Sequence, residues 1–166
     1  PSVAEGIVKR GVVQIITPGT MMDNGVLDNN FICALMAFDF HYALAFCDLQ
    51  TGEMMVETID RKQALLENEV LGMHVKEVVL PATFNKEEIQ TLETQYHVMM
   101  SFYDDDSHHA KFEHLFKQIK DFKQMKVASL LLNYLEQTQK RDIDYIQQIQ
   151  EIINDGYLKM DVYENF

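Results

Sequence analysis

The chain has 166 residues, a length that fits one domain with short neighbouring pieces, and 47% of its residues are hydrophobic. Its formal net charge of −12 argues against a segment that wraps nucleic acid, because phosphate binding depends on clustered Lys and Arg. No apolar run approaches the roughly 20 residues needed to span a bilayer, and the N-terminus has no signal-peptide pattern. We therefore expect a globular domain with its own apolar core.

The first 28 residues contain one strand-like run, Ile7–Thr17, which ends at Pro18 because proline cannot continue a ladder of hydrogen bonds. The polar stretch 21–30 has the composition of a linker. The run has no hairpin partner nearby. We expect it to pair with another copy of the chain or with an edge of the following sheet.

Three apolar runs of strand length follow, separated by short polar breaks: Phe31–Phe38, Tyr42–Leu49 and Met54–Ile59. The second break contains Gly52, where a tight turn needs a positive φ. Both alternating sets of side chains in the first run are apolar, which is typical of a strand covered on both faces. The pattern predicts a three-stranded antiparallel meander at the centre of a sheet, with helices on each side.

The two cysteines, Cys33 and Cys47, fall on the first two of these strands. If the hairpin turns around Phe40, the two side chains lie opposite each other. Because the sequence has no sign of export, we interpret both as reduced, buried residues rather than as a disulfide.

Helical and strand-like patterns alternate after the meander. Asp60 and Gln63 have capping-box spacing ahead of an apolar stripe, with Gly72 predicted just beyond the end of the helix, and Asn85 and Glu88 have the same spacing. Two short β-rich runs follow these two helices, Val75–Leu80 and Val98–Phe102. The alternation predicts an α/β fold with a sheet of mixed strand direction.

The last third is predicted to be helical. Helical spacing of apolar residues predicts one helix over Ser107–Asp121, with Ser107 as its cap. A second and stronger stripe is centred on Leu131. Residues 143–153 fit either a third, weaker helix or an extended connector. The apolar residues of the two stripes are Phe112, Leu115, Phe116 and Ile119, then Met125, Ala128, Leu131, Leu132 and Leu135.

The most metal-like cluster is the acidic run 104–106 followed by His108 and His109. Adjacent residues of a helix do not face the same way, and acids at a helix start stabilise it without any metal. We therefore interpret the cluster as a solvated helix-cap loop. The chain has no phosphate-binding glycine loop, and its serines lack a nucleophile-elbow context. Nothing in these motifs indicates an enzyme.

The order of meander, helix, strand, helix, strand and helices resembles an RNase H-like sheet. Five segments resemble the MutS family of DNA mismatch-repair ATPases, in the order and spacing of that family. They are VVQIITPGT (12–20), NNF (29–31), CDLQTGE (47–53), LLNYLEQTQKR (131–141) and LKMDVY (158–163). The resemblance covers almost the whole chain.

The resemblance implies a fragment of a larger protein. Residues 1–20 are similar to the terminal strand of the mismatch-binding domain, residues 21–140 to the RNase H-like connector domain, and residues 141–166 to the lead into the lever and core region. The sequence lacks the Phe-x-Glu wedge and the Walker A loop of that family. The implied function is therefore a non-catalytic connector between the mismatch-binding domain and the core, in a cytoplasmic protein.

The resemblance also implies partners and cofactors. The partners are MutL and the other domains of the same protein. Mismatched DNA would bind through the missing domains only, ATP and Mg would bind in the missing ATPase domain, and the full-length protein would be a homodimer. We expect no cofactor, no metal and no catalytic residue in this fragment. MutL is expected on the outer face of the helix predicted at Ser107–Asp121, through His109, Glu113, Lys117 and Lys120; the alternative is that these residues only solvate the helix. Glu113 and Lys117 are four residues apart on one helix face, a spacing that allows an i, i+4 pair.

The alternative is a metal-dependent nuclease of RNase H-like fold. Such an enzyme needs several carboxylates converging on paired metals. In this sequence the first strand is apolar throughout, and the fourth ends in Leu80-Pro81-Ala82. The sequence therefore favours the connector over the nuclease.

Overall fold

A mixed six-stranded sheet forms the centre of the computed structural model, which describes residues 30–139 and 142–153. The expectations for 1–20, including the strand at Ile7–Thr17, lie outside the described residues. In chain order the strands are β1 (Phe31–Ala37), β2 (His41–Asp48), β3 (Met54–Asp60), β4 (Glu77–Leu80), β5 (Met99–Phe102) and β6 (Ile149–Glu151). Their order across the sheet is β5-β4-β1-β2-β3-β6.

The predicted meander is confirmed. Strands β1, β2 and β3 pair antiparallel in sequence order, with Leu35 opposite Leu44 and Ala45 opposite Val56. Gly52 adopts a φ of 83° in the turn between β2 and β3, as the sequence predicted. A Cβ at this glycine would lie 2.5 Å from the carbonyl oxygen of Tyr145, so the close packing of the turn also requires glycine.

The other three strands pair in parallel, which makes the sheet mixed as predicted. Strand β4 lies beside β1, and β5 lies beside β4 at one edge. Strand β6 lies beside β3 at the other edge. Parallel neighbours need a crossover connection. Helix α1 (Gln63–Gly72) lies between β3 and β4, while a 3₁₀ turn (Lys86–Glu88) and helix α2 (Gln90–Thr94) lie between β4 and β5.

Apolar clusters cover both faces of the sheet, as the composition of the first run predicted. On one face, side chains of β1 and β2 such as Ala34 and Ala45 pack with the long helix α3 (Phe122–Thr138). On the other face, Leu35 and Leu44 pack with buried side chains of α1 and α2. The central strands are therefore buried from two sides.

Helix α3 is the strongest helix, as predicted from its stripe. Asp121 caps it by accepting hydrogen bonds from the backbone N–H groups of Lys123 and Gln124, at 2.7 and 3.4 Å. Nine of its seventeen residues are buried, and Leu131 is fully buried.

The predicted start of α1 is wrong. Asp60 is the last residue of β3, where it pairs with His41, and the helix begins at Gln63 without a side-chain cap. Because Asp60 pairs in the sheet, it does not act as the helix cap that the sequence pattern predicted. Gly72 is the last residue of the helix rather than the residue beyond it, and the positive φ belongs to His74.

The next two capping predictions have different outcomes. Asn85 is confirmed as an N-cap, although of a short 3₁₀ turn, where its side chain accepts from the backbone N–H of Glu87, and the Glu88 carboxylate accepts from Arg61. The α-helix predicted over Ser107–Asp121 is a 3₁₀ segment, Ala110–Phe116, whose N-cap is His109. Its apolar residues at a spacing of three satisfy a 3₁₀ period as well as an α-helical one.

The two cysteines are reduced and buried, as predicted, but they do not lie opposite each other. Cys33 pairs with Phe46, and Cys47 pairs with Ile32. The hairpin register therefore differs by one residue from a turn centred on Phe40, and the two thiols lie on opposite faces of the sheet. Burial raises the pKa of both thiols.

The described part of the tail, 142–153, completes the sheet. A 3₁₀ turn (Ile143–Tyr145) packs on the β2–β3 turn, where the Tyr145 hydroxyl donates to the carbonyl of Leu49 at 3.0 Å. Strand β6 follows. These residues adopt neither a regular α-helix nor a fully extended connector.

Candidate functional site

The surface segment 104–121 is the part of the domain on which the predicted partner residues lie. Its shape is fixed from below by Asn133 of α3, whose side-chain amide donates to the carbonyls of Asp105 and Ser107 at 3.0 and 2.9 Å. At the start of the segment, the Asp104 carboxylate accepts from the backbone N–H of Ala82 at 2.9 Å. The loop is therefore held to both α3 and the end of β4.

The acidic run serves as a set of local hydrogen-bond acceptors. Asp105 accepts from the hydroxyl and the backbone N–H of Ser107, and these bonds, with a smaller contribution from His109, lower the pKa of its carboxyl. Asp106 forms an ion pair with Lys126 of α3 at 3.1 Å. The interpretation as a solvated loop fits these contacts, except that the loop precedes a 3₁₀ segment instead of an α-helix.

The four predicted partner residues are all exposed: His109, Glu113, Lys117 and Lys120. The structure places them along one surface segment, from the start of the 3₁₀ segment to the residue before the α3 cap. The predicted pair of Glu113 and Lys117 is replaced by a contact between the Glu113 carboxylate and His108 Nε2 at 2.5 Å. A 3₁₀ segment turns more tightly than an α-helix, so residues four apart lose their shared face.

The inner side of this segment belongs to the core, as the apolar spacing predicted. Phe112, Leu115, Phe116 and Ile119 are buried in the cluster under α3. The His108 ring packs edge-on against Phe116, with 4.9 Å between ring centroids. The segment therefore presents a polar outer surface on a well-packed base.

A polar cluster at the opposite face was missed by the sequence analysis. Glu88 accepts two hydrogen bonds from the Arg61 guanidinium, at 3.0 and 2.6 Å, and a third from the Tyr42 hydroxyl. Arg61 also donates to the carbonyl of Phe38 at 2.7 Å. The cluster thus joins the β1–β2 hairpin, the end of β3 and the 3₁₀ turn before α2. Its members are far apart in sequence, so no short motif could have indicated it.

These contacts shift the pKa values of the cluster. The hydrogen bonds from Arg61 are the main reason that the pKa of Glu88 is lowered, although partial burial opposes them. Burial, together with the bond to Glu88, raises the pKa of Tyr42. The charged forms of Arg61 and Glu88 are therefore stabilised at neutral pH. These contacts hold three parts of the chain together, and we refer to Tyr42, Arg61 and Glu88 as the Glu88 clamp.

The carboxylates of Asp48 and Glu77 on the sheet make separate local contacts. Asp48 at the end of β2 accepts from the backbone N–H of Gln50 at 2.9 Å and closes the turn. Glu77 on β4 accepts from the hydroxyls of Ser101 and Tyr134, at 2.6 and 2.5 Å. Within residues 30–139 and 142–153, no group of three His, Cys, Asp or Glu side chains is arranged to hold a metal ion. Among the same residues, no helix is long and apolar enough to cross a bilayer.

Comparisons with known proteins agree on one family. Residues 30–150 match the family model described as MutS domain II. The DNA mismatch repair protein MutS of Bacillus mycoides (strain KBAB4) is 37% identical over 167 residues, which cover 98% of this chain and 19% of that protein. The proteins of the same name from Bacillus cereus (strain B4264) and Bacillus thuringiensis (strain Al Hakam) are each 36% identical over the same shares. The chain thus spans about a fifth of the length of these relatives.

Proposed function

This chain belongs to the MutS family as a segment that contains domain II, and we propose that residues 30–150 act as a non-catalytic connector within a mismatch-repair protein. The observation that carries the proposal is that the match to domain II extends from β1 to β6. It therefore includes residues of all six strands of a sheet with both faces buried. Such a unit can hold a fixed shape while other parts of a larger protein act.

The sheet topology supports a connecting role. The described chain enters through β1 at the centre of the sheet and leaves after β6 at one edge. Segments attached before Asn30 and after Ile153 would thus be joined to one sheet, which keeps their attachment points at a constant separation. Mismatch binding, and ATP hydrolysis with Mg²⁺, would take place in other parts of the full-length protein. We further propose that this protein is a cytoplasmic homodimer.

The second part of the proposal is that the outer surface of 104–121 is a docking surface for MutL. His109, Glu113, Lys117 and Lys120 are exposed there, and both signs of charge are represented. Complementary charges across an interface speed association, and placing like charges opposite each other weakens binding. Because the underlying apolar residues are buried, changes to these four side chains should affect binding without unfolding the domain.

The test is a double charge reversal, Glu113→Lys with Lys117→Glu, in the full-length protein, titrated with MutL from the same organism. The net charge stays constant, and we expect weaker binding together with a nearly unchanged melting temperature. A matched control is Lys62→Glu with Glu93→Lys, which reverses two exposed charges on the α1 and α2 side. Equal affinities for the wild type and the first variant would overturn the docking proposal.

The connector role itself is tested separately, by deleting residues 30–150 from the full-length protein. We expect the loss of coupling between mismatch binding and the ATPase rate, with ATP hydrolysis itself retained. Normal stimulation of the ATPase by mismatched DNA in the deletion variant would contradict a connecting role. A nuclease would instead require a carboxylate cluster for metal ions. Cleavage of nucleic acid dependent on Mg²⁺ or Mn²⁺ by the purified domain would favour that alternative.

A further inference from the structure

Positive charge is concentrated where α3 begins. Residues 117–126 contain four lysines and a single aspartate, whereas the formal net charge of the whole chain is −12. One large aromatic residue, Phe122, lies among them. We refer to these five residues as the lysine patch: Lys117, Lys120, Phe122, Lys123 and Lys126.

Phe122 is unusual because 67% of its surface is exposed although it is the first residue of a long helix. The Lys126 ammonium lies 5.4 Å from the centroid of its ring, within the range of a cation–π contact. A ring that is largely exposed buries little apolar area and therefore contributes little to the fold. Aromatic residues of this kind are enriched among the side chains that dominate binding energy at interfaces.

The patch is held in a fixed orientation. Asp121 caps the helix directly before Phe122, and the Gln124 amide donates to Thr58 and Glu151, both at 3.1 Å. The Lys123 ammonium lies 5.9 Å from the ring centroid of Phe38, so the first turn of α3 sits beside the β1–β2 hairpin. A rigid presentation reduces the entropy lost on binding.

We infer that the lysine patch receives an acidic segment of MutL in which an apolar side chain, flanked by carboxylates, packs on Phe122. The inference rests on the proposed docking of MutL to the segment 104–121, which shares Lys117 and Lys120 with the patch, and it specifies the chemistry of the docked element. Charge complementarity selects an acidic partner, and the exposed ring requires an apolar group beside the acids.

The same features argue against duplex DNA as the occupant. A phosphate backbone offers a dense array of negative charge and no apolar side chain for Phe122. Asp121 lies next to Phe122 in the sequence, and Lys126 is already paired with Asp106 at 3.1 Å. These carboxylates repel any anion at short range, and a duplex is affected most because its continuous phosphate array cannot avoid them. An acidic peptide can place its few carboxylates between them.

The experiment uses the full-length protein, with MutL as titrant over a range of salt concentrations. We expect Phe122→Ala to weaken binding about tenfold, as truncation of an interface anchor does. We expect Lys120→Gln with Lys123→Gln to weaken binding at low salt and to flatten its salt dependence. Both variants should keep the wild-type melting temperature, because the altered side chains are largely outside the core.

A matched control exists at the edge strand β5. There the Lys86 ammonium lies 4.8 Å from the ring centroid of Phe102, which is 44% exposed. Phe102→Ala with Lys86→Gln removes the same chemistry at another place and should leave MutL binding unchanged. An equal loss of affinity in this control would overturn the inference, because it would mean that any exposed Lys–Phe pair has the same effect.

The outcomes separate this inference from the proposal on which it rests. If the reversal at Glu113 and Lys117 weakens MutL binding but Phe122→Ala binds as the wild type does, the docking surface stands and the inferred contact at the Phe122 ring is wrong. If neither the reversal nor the patch variants weaken MutL binding, the docking proposal and the inference are both wrong. If the patch variants weaken binding to duplex DNA but not to MutL, the patch contacts phosphates and the inference is wrong.

Discussion

The two faces of the sheet are covered in different ways. One face is covered mainly by α3, which is capped by Asp121 and has nine buried residues. The other face is covered by two short helices. Of these, α1 has no side-chain cap and only two buried residues, Leu66 and Val70. The same β-strands thus pack against one long, well-buried helix on one face and against two short helices on the other.

The difference shows how weak helices can be kept in place. Short helices are marginal by themselves and depend on tertiary contacts. The Glu88 clamp provides such contacts, because it ties the region before α2 to Arg61 and Tyr42. The α3 face has polar bonds too, such as those of Gln124, but its stability rests mainly on buried side chains. Four predictions test this contrast.

The largest effect is expected for Leu131→Ala at the centre of α3. Leu131 is fully buried, so its truncation should cost on the order of 2–5 kcal/mol through lost burial and a cavity. The control is Leu65→Ala on α1, where 38% of the leucine is exposed, and it should cost less than about 1 kcal/mol. Urea denaturation of the two variants measures both values. Equal costs would mean that α3 is not held more strongly on its face than α1 is on the other.

The next effect concerns the clamp on the other face. Glu88→Gln removes the charge that accepts both Arg61 hydrogen bonds, and the loss of charge-assisted bonds of this kind costs about 1–3 kcal/mol. The loss of stability should be concentrated around α2, and it should be detected as faster hydrogen exchange of the α2 backbone amides. If α3 amides were affected as strongly as α2 amides, the two faces would not be stabilised independently.

The pH dependence of the clamp provides a sharper version of this test. The pKa of Glu88 is lowered in the folded protein from its ordinary value of 4.5, so the unfolded state binds a proton more readily. Its contribution to stability is complete above pH 4.5 and is lost as the pH falls through the folded-state pKa. The stability difference between the wild type and Glu88→Gln should therefore shrink on acidification. A difference that stays constant down to pH 3 would contradict the clamp.

The smallest effect is expected for Glu136→Ala on the outer side of α3. Its carboxylate pairs with Lys111, but both side chains are largely exposed, and such pairs contribute between about 0 and 1 kcal/mol. We expect a loss within about 0.5 kcal/mol in the same denaturation assay. A cost near that of Leu131→Ala would show that the face of α3 has been assigned wrongly.

Local patterns predicted the elements that depend on local physics. The meander followed from three apolar runs and Gly52, and α3 followed from its stripe of leucines. Capping predictions failed where another part of the chain competed for the same residue. Asp60 pairs with His41 in the sheet, and the Glu88 carboxylate accepts a hydrogen bond from Arg61.

The candidate docking surface was only partly predictable. The sequence identified which residues of 104–121 face outward, because apolar spacing marks the buried side. It could not reveal that Asn133 holds the loop or that Glu113 contacts His108, since both depend on tertiary geometry. Phe122 was missed as well. It lies just outside the predicted stripe of α3, and only the folded chain shows how much of its ring is exposed.

The late position of β6 in the chain has a consequence for synthesis on the ribosome. Met54 pairs with Ile149, so within the described part the outer edge of β3 gains this partner only after β6 has left the exit tunnel. Until then the nascent sheet has an open edge next to an already formed meander. Open edges pair readily with other chains. Translational pausing between α3 and β6 should therefore be the stage at which this domain most needs a chaperone.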